Sequence, residues 1–141
     1  ISSVLERLST NPHDSRPGMT HWRTPMLYMA LIYREDPPED FDPSSADAQA
    51  MWQAYGAFTQ KIIAAGQFKG GDALMPGSTA TCIQKRGGKI ATTDGPFAET
   101  KEQLGGYYLL ECADLDEAVA AAAEIPHAAT GTIEVRPVLV P

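Results

Sequence analysis

The chain has 141 residues and 15.2 kDa, with 43% hydrophobic and 21% charged residues, the composition of an ordinary folded domain rather than of a disordered or fibrous chain. A formal charge of -7, with 11 Lys plus Arg and no basic run, argues against a nucleic-acid surface or an anionic-membrane patch. No apolar stretch approaches the roughly 20 residues that span a bilayer, and no basic-then-apolar signal order opens the chain, so it reads as cytoplasmic, with a core large enough to need no disulfide or structural metal.

Residues 1–25 hold three prolines and one short helical patch around Val4, Leu5 and Leu8. They read as a leader, with Met19 and Met26 both plausible starts, and residues 26–141 as the domain. From Met26, MLYMALIY is a continuous apolar run, the pattern of a strand buried on both faces. After the acidic, Pro-broken REDPPEDFDPSS, Ser44 or Ser45 caps a helix in which Met51, Trp52, Tyr55, Phe58, Ile62 and Ile63 recur at helical spacing up to Gly66. QFKGGDALMPGS reads as a Gly-rich turn segment. TATCIQKR and KIATT flank Gly87-Gly88, a two-residue hairpin signal.

GGYYLLECA reads as the next strand. Asp114 and Glu117 have capping-box spacing ahead of Leu115, Val119 and Ala122, a second helix stopped by Pro126, and TIEVRPVLV closes the chain as a strand. The order β-α-β-β-β-α-β predicts an α+β fold close to the ferredoxin-like split βαβ. Two helices cover only one face of such a sheet. The uncovered apolar side chains of the first strand and YYLLE predict a homodimer packed sheet against sheet, with PVLVP free to cross to the partner.

Cys82 and Cys112 sit in apolar, strand-like runs and read as small buried hydrophobes rather than nucleophiles. Of the three histidines, His13 and His21 fall in the leader and only His127 lies near folded-looking sequence, so no metal and no cofactor is expected. The segment TDGPFAETKEQLGG is longer than a hairpin needs and dense in polar groups. Gly95-Pro96 sets a turn in which Asp94 is expected to accept backbone N–H groups, and Phe97 is the expected anchor pinning the loop to the core.

DGPFAETKEQLGGYYLLECADLDEA resembles the signature of the DGPF group within the YCII-related proteins, and MLYMALIY, AYGAFTQKIIAAG, GGDAL and GTIEVRPV extend the likeness over residues 26–140. The resemblance implies a dimeric α+β barrel of ferredoxin-like subunits, usually without an assigned activity and often encoded beside extracytoplasmic-function sigma factors. Some members of the wider family resemble small lyase-like enzymes, with a His on the first helix and a nearby Asp proposed as an acid–base pair. In this chain the corresponding helix position is Tyr55, a weak base with an ordinary pKa near 10 but a competent donor.

The resulting candidate set is Tyr55, Asp72, Asp94, Glu99, Lys101 and Arg136, expected to converge between the sheet and the first helix. Lys101 and Arg136, with Asp72, would hold a small polar or anionic ligand, and Asp94 or Glu99 would act as base beside Tyr55. Each has a plainer reading: Tyr55 as core, Asp72 as a turn residue, Arg136 in a surface ion pair, Glu99 and Lys101 facing water. An acid–base enzyme needs these groups in a concave pocket. A non-enzymatic accessory or ligand-sensing protein, for example a sigma-factor-associated regulator, needs the loop exposed as a docking surface. Cofactor-free oxygenase chemistry is a third reading, suggested by the fold alone.

Overall fold

In the computed structural model, residues 25–140 are described; the helical patch expected at Val4, Leu5 and Leu8 lies outside them. The run after Pro25 forms strand β1 (Met26–Arg34), and Ser45 opens helix α1 (Ala46–Ala64), its side chain accepting from the Ala48 N–H. Strand β2 (Phe68–Ala73) and a 3-10 turn (Gly77–Thr79) lead to a hairpin of β3 (Thr81–Arg86) and β4 (Lys89–Asp94). Strand β5 (Gln103–Cys112), helix α2 (Leu115–Ala122), a second 3-10 turn (Pro126–Ala129) and β6 (Thr132–Pro137) complete the fold.

The main sheet has order β2-β5-β1-β6 with antiparallel neighbours, the ferredoxin-like arrangement expected from the α+β reading. Two details differ from the sequence reading. QFKGGDALMPGS supplies a strand that its glycines conceal, because pairing with the edge of β5 outweighs the low strand propensity of FKGGDA. The hairpin forms as expected, with Gly87 and Gly88 at φ +57° and +76°, yet it is a separate two-stranded sheet and not part of the main one.

Tyr28, Ala30 and Ile32 of β1 and Tyr108, Leu110 and Cys112 of β5 alternate toward the helices and bury against Phe58, Ile62, Ala118, Ala121 and Ile125. Phe58 meets Tyr108 edge to face at 5.1 Å. The intervening residues Leu27, Met29, Leu31 and Tyr33 are only half-buried, so β1 is not equally buried on both sides: among the described residues no helix covers that second face. On α1 the buried stripe is Ala48, Phe58 and Ile62 with Tyr55 packed beside it; Met51, Trp52 and Ile63 face outward, correcting the broader apolar face read from their spacing.

The cap of α2 is as expected, with the Glu117 N–H donating to Asp114 Oδ1 at 2.9 Å and the Glu117 carboxylate reaching back to the Ala113 N–H at 3.2 Å. Cys112 is buried, and burial pushes its thiol up to about 11, which suits a core residue and not a nucleophile. Cys82 is half-buried and donates to the Gly95 carbonyl.

Candidate functional site

Arg34, the last residue of β1, continues the alternation that turns Tyr28, Ala30 and Ile32 toward the helices. Its side chain is only 20% exposed. The opposite strand makes room for it. The register of β5 against β1 shifts between Ile32 and Tyr33, leaving Gly105 between the partners Gly106 and Leu104, and a Cβ on Gly105 would lie 2.6 Å from Arg34 Nε and 2.9 Å from its Cζ. The first glycine of GGYYLLE is therefore the floor on which the guanidinium rests.

Two other elements close on that guanidinium. The 3-10 turn Pro126–Ala129 carries His127, and the chain leaves it through Gly131, whose N–H donates to the His127 carbonyl at 2.7 Å. A Cβ on Gly131 would sit 2.3 Å from the Tyr33 carbonyl oxygen, so only glycine lets this turn press against the end of β1. From α1, Tyr55 places its Oη 2.6 Å from His127 Nδ1. His127, Arg34, Glu35 and Thr130 line a cleft of about 310 Å³.

The electrostatics of this trio follow from burial and charge. Burial pushes the Tyr55 hydroxyl up to about 12, with hydrogen bonding to His127 pulling the other way, so the phenol holds its proton at neutral pH. Burial, followed by the neighbouring Arg34 charge, lowers the His127 pKa from its ordinary 6.5 and keeps the imidazole neutral. With the Tyr55 hydroxyl donating to Nδ1, the other ring nitrogen carries the proton as a donor. With Nδ1–H donating to the phenol oxygen, Nε2 is left as the free base.

A second cleft, of about 470 Å³, is lined by Asp36, Ser78, Glu99, Thr100, Lys101 and Gln103, with Pro96. Asp36 holds it to the first 3-10 turn by accepting from the Gly77 N–H at 2.9 Å. Lys101 pairs with Glu35 at 3.3 Å, linking the walls of the two clefts, although both groups are largely exposed and the pair is worth under about 1 kcal/mol.

Of the residues singled out by sequence, Glu99 and Lys101 share this second cleft, and Tyr55 belongs to the first. Asp72 and Arg136 lie on the sheet face opposite the helices. Asp72 pairs with Tyr107 on β5 and Arg136 with Met29 on β1, and the strands that carry them, β2 and β6, are the two sheet edges, roughly 14 Å apart. They do not converge with Tyr55 or with each other. Asp72 instead accepts from the Tyr107 hydroxyl at 3.0 Å. Asp94 ends β4 in an exposed position and, among the described residues, accepts no backbone N–H, so its expected role in the turn is not realised.

The expected anchor is corrected as well. Phe97 is 89% exposed, and the loop is held by Gln103, whose side-chain amide donates to the carbonyls of Ala98 and Thr100 at 2.8 and 2.9 Å. The Gly95 N–H closes the base of the hairpin on the Ala80 carbonyl at 2.7 Å. Gln103, Arg34 and His127 are the residues the sequence reading missed. The one available signal for His127 was its place as the single histidine beside folded sequence.

A family model described as the YCII-related domain matches residues 26–140 of the chain. An uncharacterised protein of Rhizobium meliloti (strain 1021) is 38% identical over 114 residues, which cover 79% of this chain and 91% of that protein.

Proposed function

The chain belongs to the YCII-related family, and from that premise we propose that it is a small acid–base protein whose cleft at the end of β1 takes a small anionic metabolite. The observation that carries this reading is the 2.6 Å contact between Tyr55 Oη and His127 Nδ1 beside a guanidinium seated on Gly105. Arg34 is the anion partner, and its planar fork suits a carboxylate or phosphate. His127 is the proton-transfer group, and Tyr55 holds its Nδ1. Glu99 and Lys101 line the adjoining cleft and meet the far end of a larger ligand. Asp94, Asp72 and Arg136 have no part in this step.

The arrangement couples binding to chemistry. In the free protein burial and, after it, the Arg34 charge hold His127 neutral; an anion that neutralises Arg34 removes the second effect and moves the imidazole pKa upward. The base gains strength when a substrate is present. The test is the His127 ring titration followed by NMR, without and with malonate or phosphate. The expected result is an upward shift with anion, abolished in Arg34→Met. A midpoint that neither anion moves would remove the proposal.

The same proposal has two copies packing through the sheet face that no helix covers among the described residues, with Met29, Leu31, Tyr107 and Leu109 inside the contact. A second reading, a non-enzymatic accessory or ligand-sensing protein, is favoured by one observation: the loop after β4 presents Phe97 to water rather than folding it into a pocket wall. Anion binding at Arg34 without turnover of any small carboxylate in a metabolite screen would select it.

A further inference from the structure

The β3–β4 ribbon stands off the main sheet with all of β4 and most of β3 exposed. Two-stranded ribbons are marginal alone in water, and this one holds two aliphatic side chains outward. Ile83 and Ile90 are 67% and 69% exposed. The register pairs Ile83 with Thr92 and Ile90 with Lys85, which puts both isoleucines on one face of the ribbon. At its tip, Lys85, Arg86 and Lys89 make no ion pair among the described residues. In a chain of formal charge -7, this is a local concentration of positive charge on an apolar stem.

The complementary surface lies elsewhere on the same chain. The β1–α1 connection carries Glu39, Asp40 and Asp42, none of which meets a cation among the described residues. Between them Phe41 is 47% exposed. An aromatic ring flanked by carboxylates matches, in polarity and charge, two isoleucines that share their ribbon face with Lys85, with Arg86 and Lys89 paired on the other face at the tip. Among the described residues the ribbon makes no ion pair with this loop within the chain, which leaves both surfaces open to a second copy.

We propose that the β3–β4 ribbon is a clasp that reaches onto the Glu39–Asp42 loop of a second copy of this chain. Phe41 of the loop covers Ile83 and Ile90, and the tip cations pair with the loop carboxylates. Two such contacts related by a two-fold axis satisfy the self-complementary condition of a symmetric dimer. Two bodies of like net charge repel on approach, and this local match of sign orients them. The proposal rests on the pairing of two copies put forward above, and adds the elements that fix their register.

The test separates the two. Sedimentation of the full chain establishes whether a dimer forms, and a monomer would overturn both proposals. In a dimer prepared from mixed light and heavy isotope-labelled chains, carbodiimide coupling should join Lys85 or Lys89 of one copy to Glu39, Asp40 or Asp42 of the other. Intramolecular links alone, in a chain that is dimeric, would overturn the clasp and leave the sheet contact standing. Two charge-reversed variants complete the design: Lys85→Glu, Arg86→Glu and Lys89→Glu together, and Glu39→Lys, Asp40→Lys and Asp42→Lys together. Each alone should dimerise about 10-fold or more weakly, and their mixture should recover wild-type association, since both clasps then join opposite charges. Equal dissociation constants for both variants and the wild type would refute the clasp, whereas recovery only on mixing supports it in a way that misfolding of either variant cannot imitate.

Discussion

Replacing Gly131 by alanine tests the construction of the site most directly. The new Cβ would lie 2.3 Å from the Tyr33 carbonyl oxygen and 3.3 Å from the His127 carbonyl oxygen, against an ordinary contact distance of 3.4–4 Å. The obstructing atom is backbone, held where Tyr33 pairs with Thr132 in the β1–β6 ladder, so relief requires the turn to move by about 1 Å. That movement strains the bond from the Gly131 N–H to the His127 carbonyl and the last pair of the ladder, about 1 kcal/mol each, and adds an overpacking cost of about 1–3 kcal/mol. The expected loss is about 3–5 kcal/mol by urea denaturation, with displaced His127 ring resonances in the fraction that stays folded. A loss below about 0.5 kcal/mol with unmoved His127 resonances would refute the claim that close approach at Gly131 sets the His127 position.

Gly105→Ala is the contrasting case: its Cβ meets the flexible end of Arg34, so stability should fall by less than about 1 kcal/mol while the anion-induced shift of His127 disappears, as NMR titration would show. His127 has a folded pKa below 6.5, so the unfolded chain takes up the proton first; the stability His127 contributes is full above about pH 6.5 and is lost as pH falls, and His127→Gln should flatten the melting temperature between pH 7 and 5 in calorimetry. Tyr55 works at the other end of the scale: with its folded pKa near 12 the protein loses stability as pH rises from 10, and Tyr55→Phe should remove that slope while costing about 1 kcal/mol at pH 7, measured by denaturant titration. Phe97→Ala should change denaturant stability by no more than about 0.5 kcal/mol, since the ring is 89% exposed; a loss above about 2 kcal/mol would show that the ring is covered in solution. If two copies pack as proposed, Met29→Lys combined with Leu109→Lys, facing residues on the sheet face opposite the helices, should yield a monomer in sedimentation with the fold retained.

The elements legible in the sequence are those decided by chemistry a few residues long. Ser45 and the Asp114–Glu117 box start the helices because their side chains bond N–H groups three positions away, and Gly87-Gly88 turns the hairpin because both residues take positive φ. The strand runs of β1 and β5 were equally readable, and with them the α+β fold; which side of β1 buries was not, since MLYMALIY is apolar at every position and reads as buried on both faces. What the tertiary structure decided lies far apart in the chain. FKGGDA becomes a strand only because β5 offers it an edge. Tyr55 and His127 meet across 72 residues, Arg34 rests on a glycine from another strand, and no local pattern records either contact. The charge states of that site come from burial, which a list of residues does not contain. For the same reason the polar groups gathered by sequence into one pocket separate in space: Asp72 and Arg136 alternate to the sheet face away from Tyr55, and a one-residue change of register on either strand would have reversed that outcome.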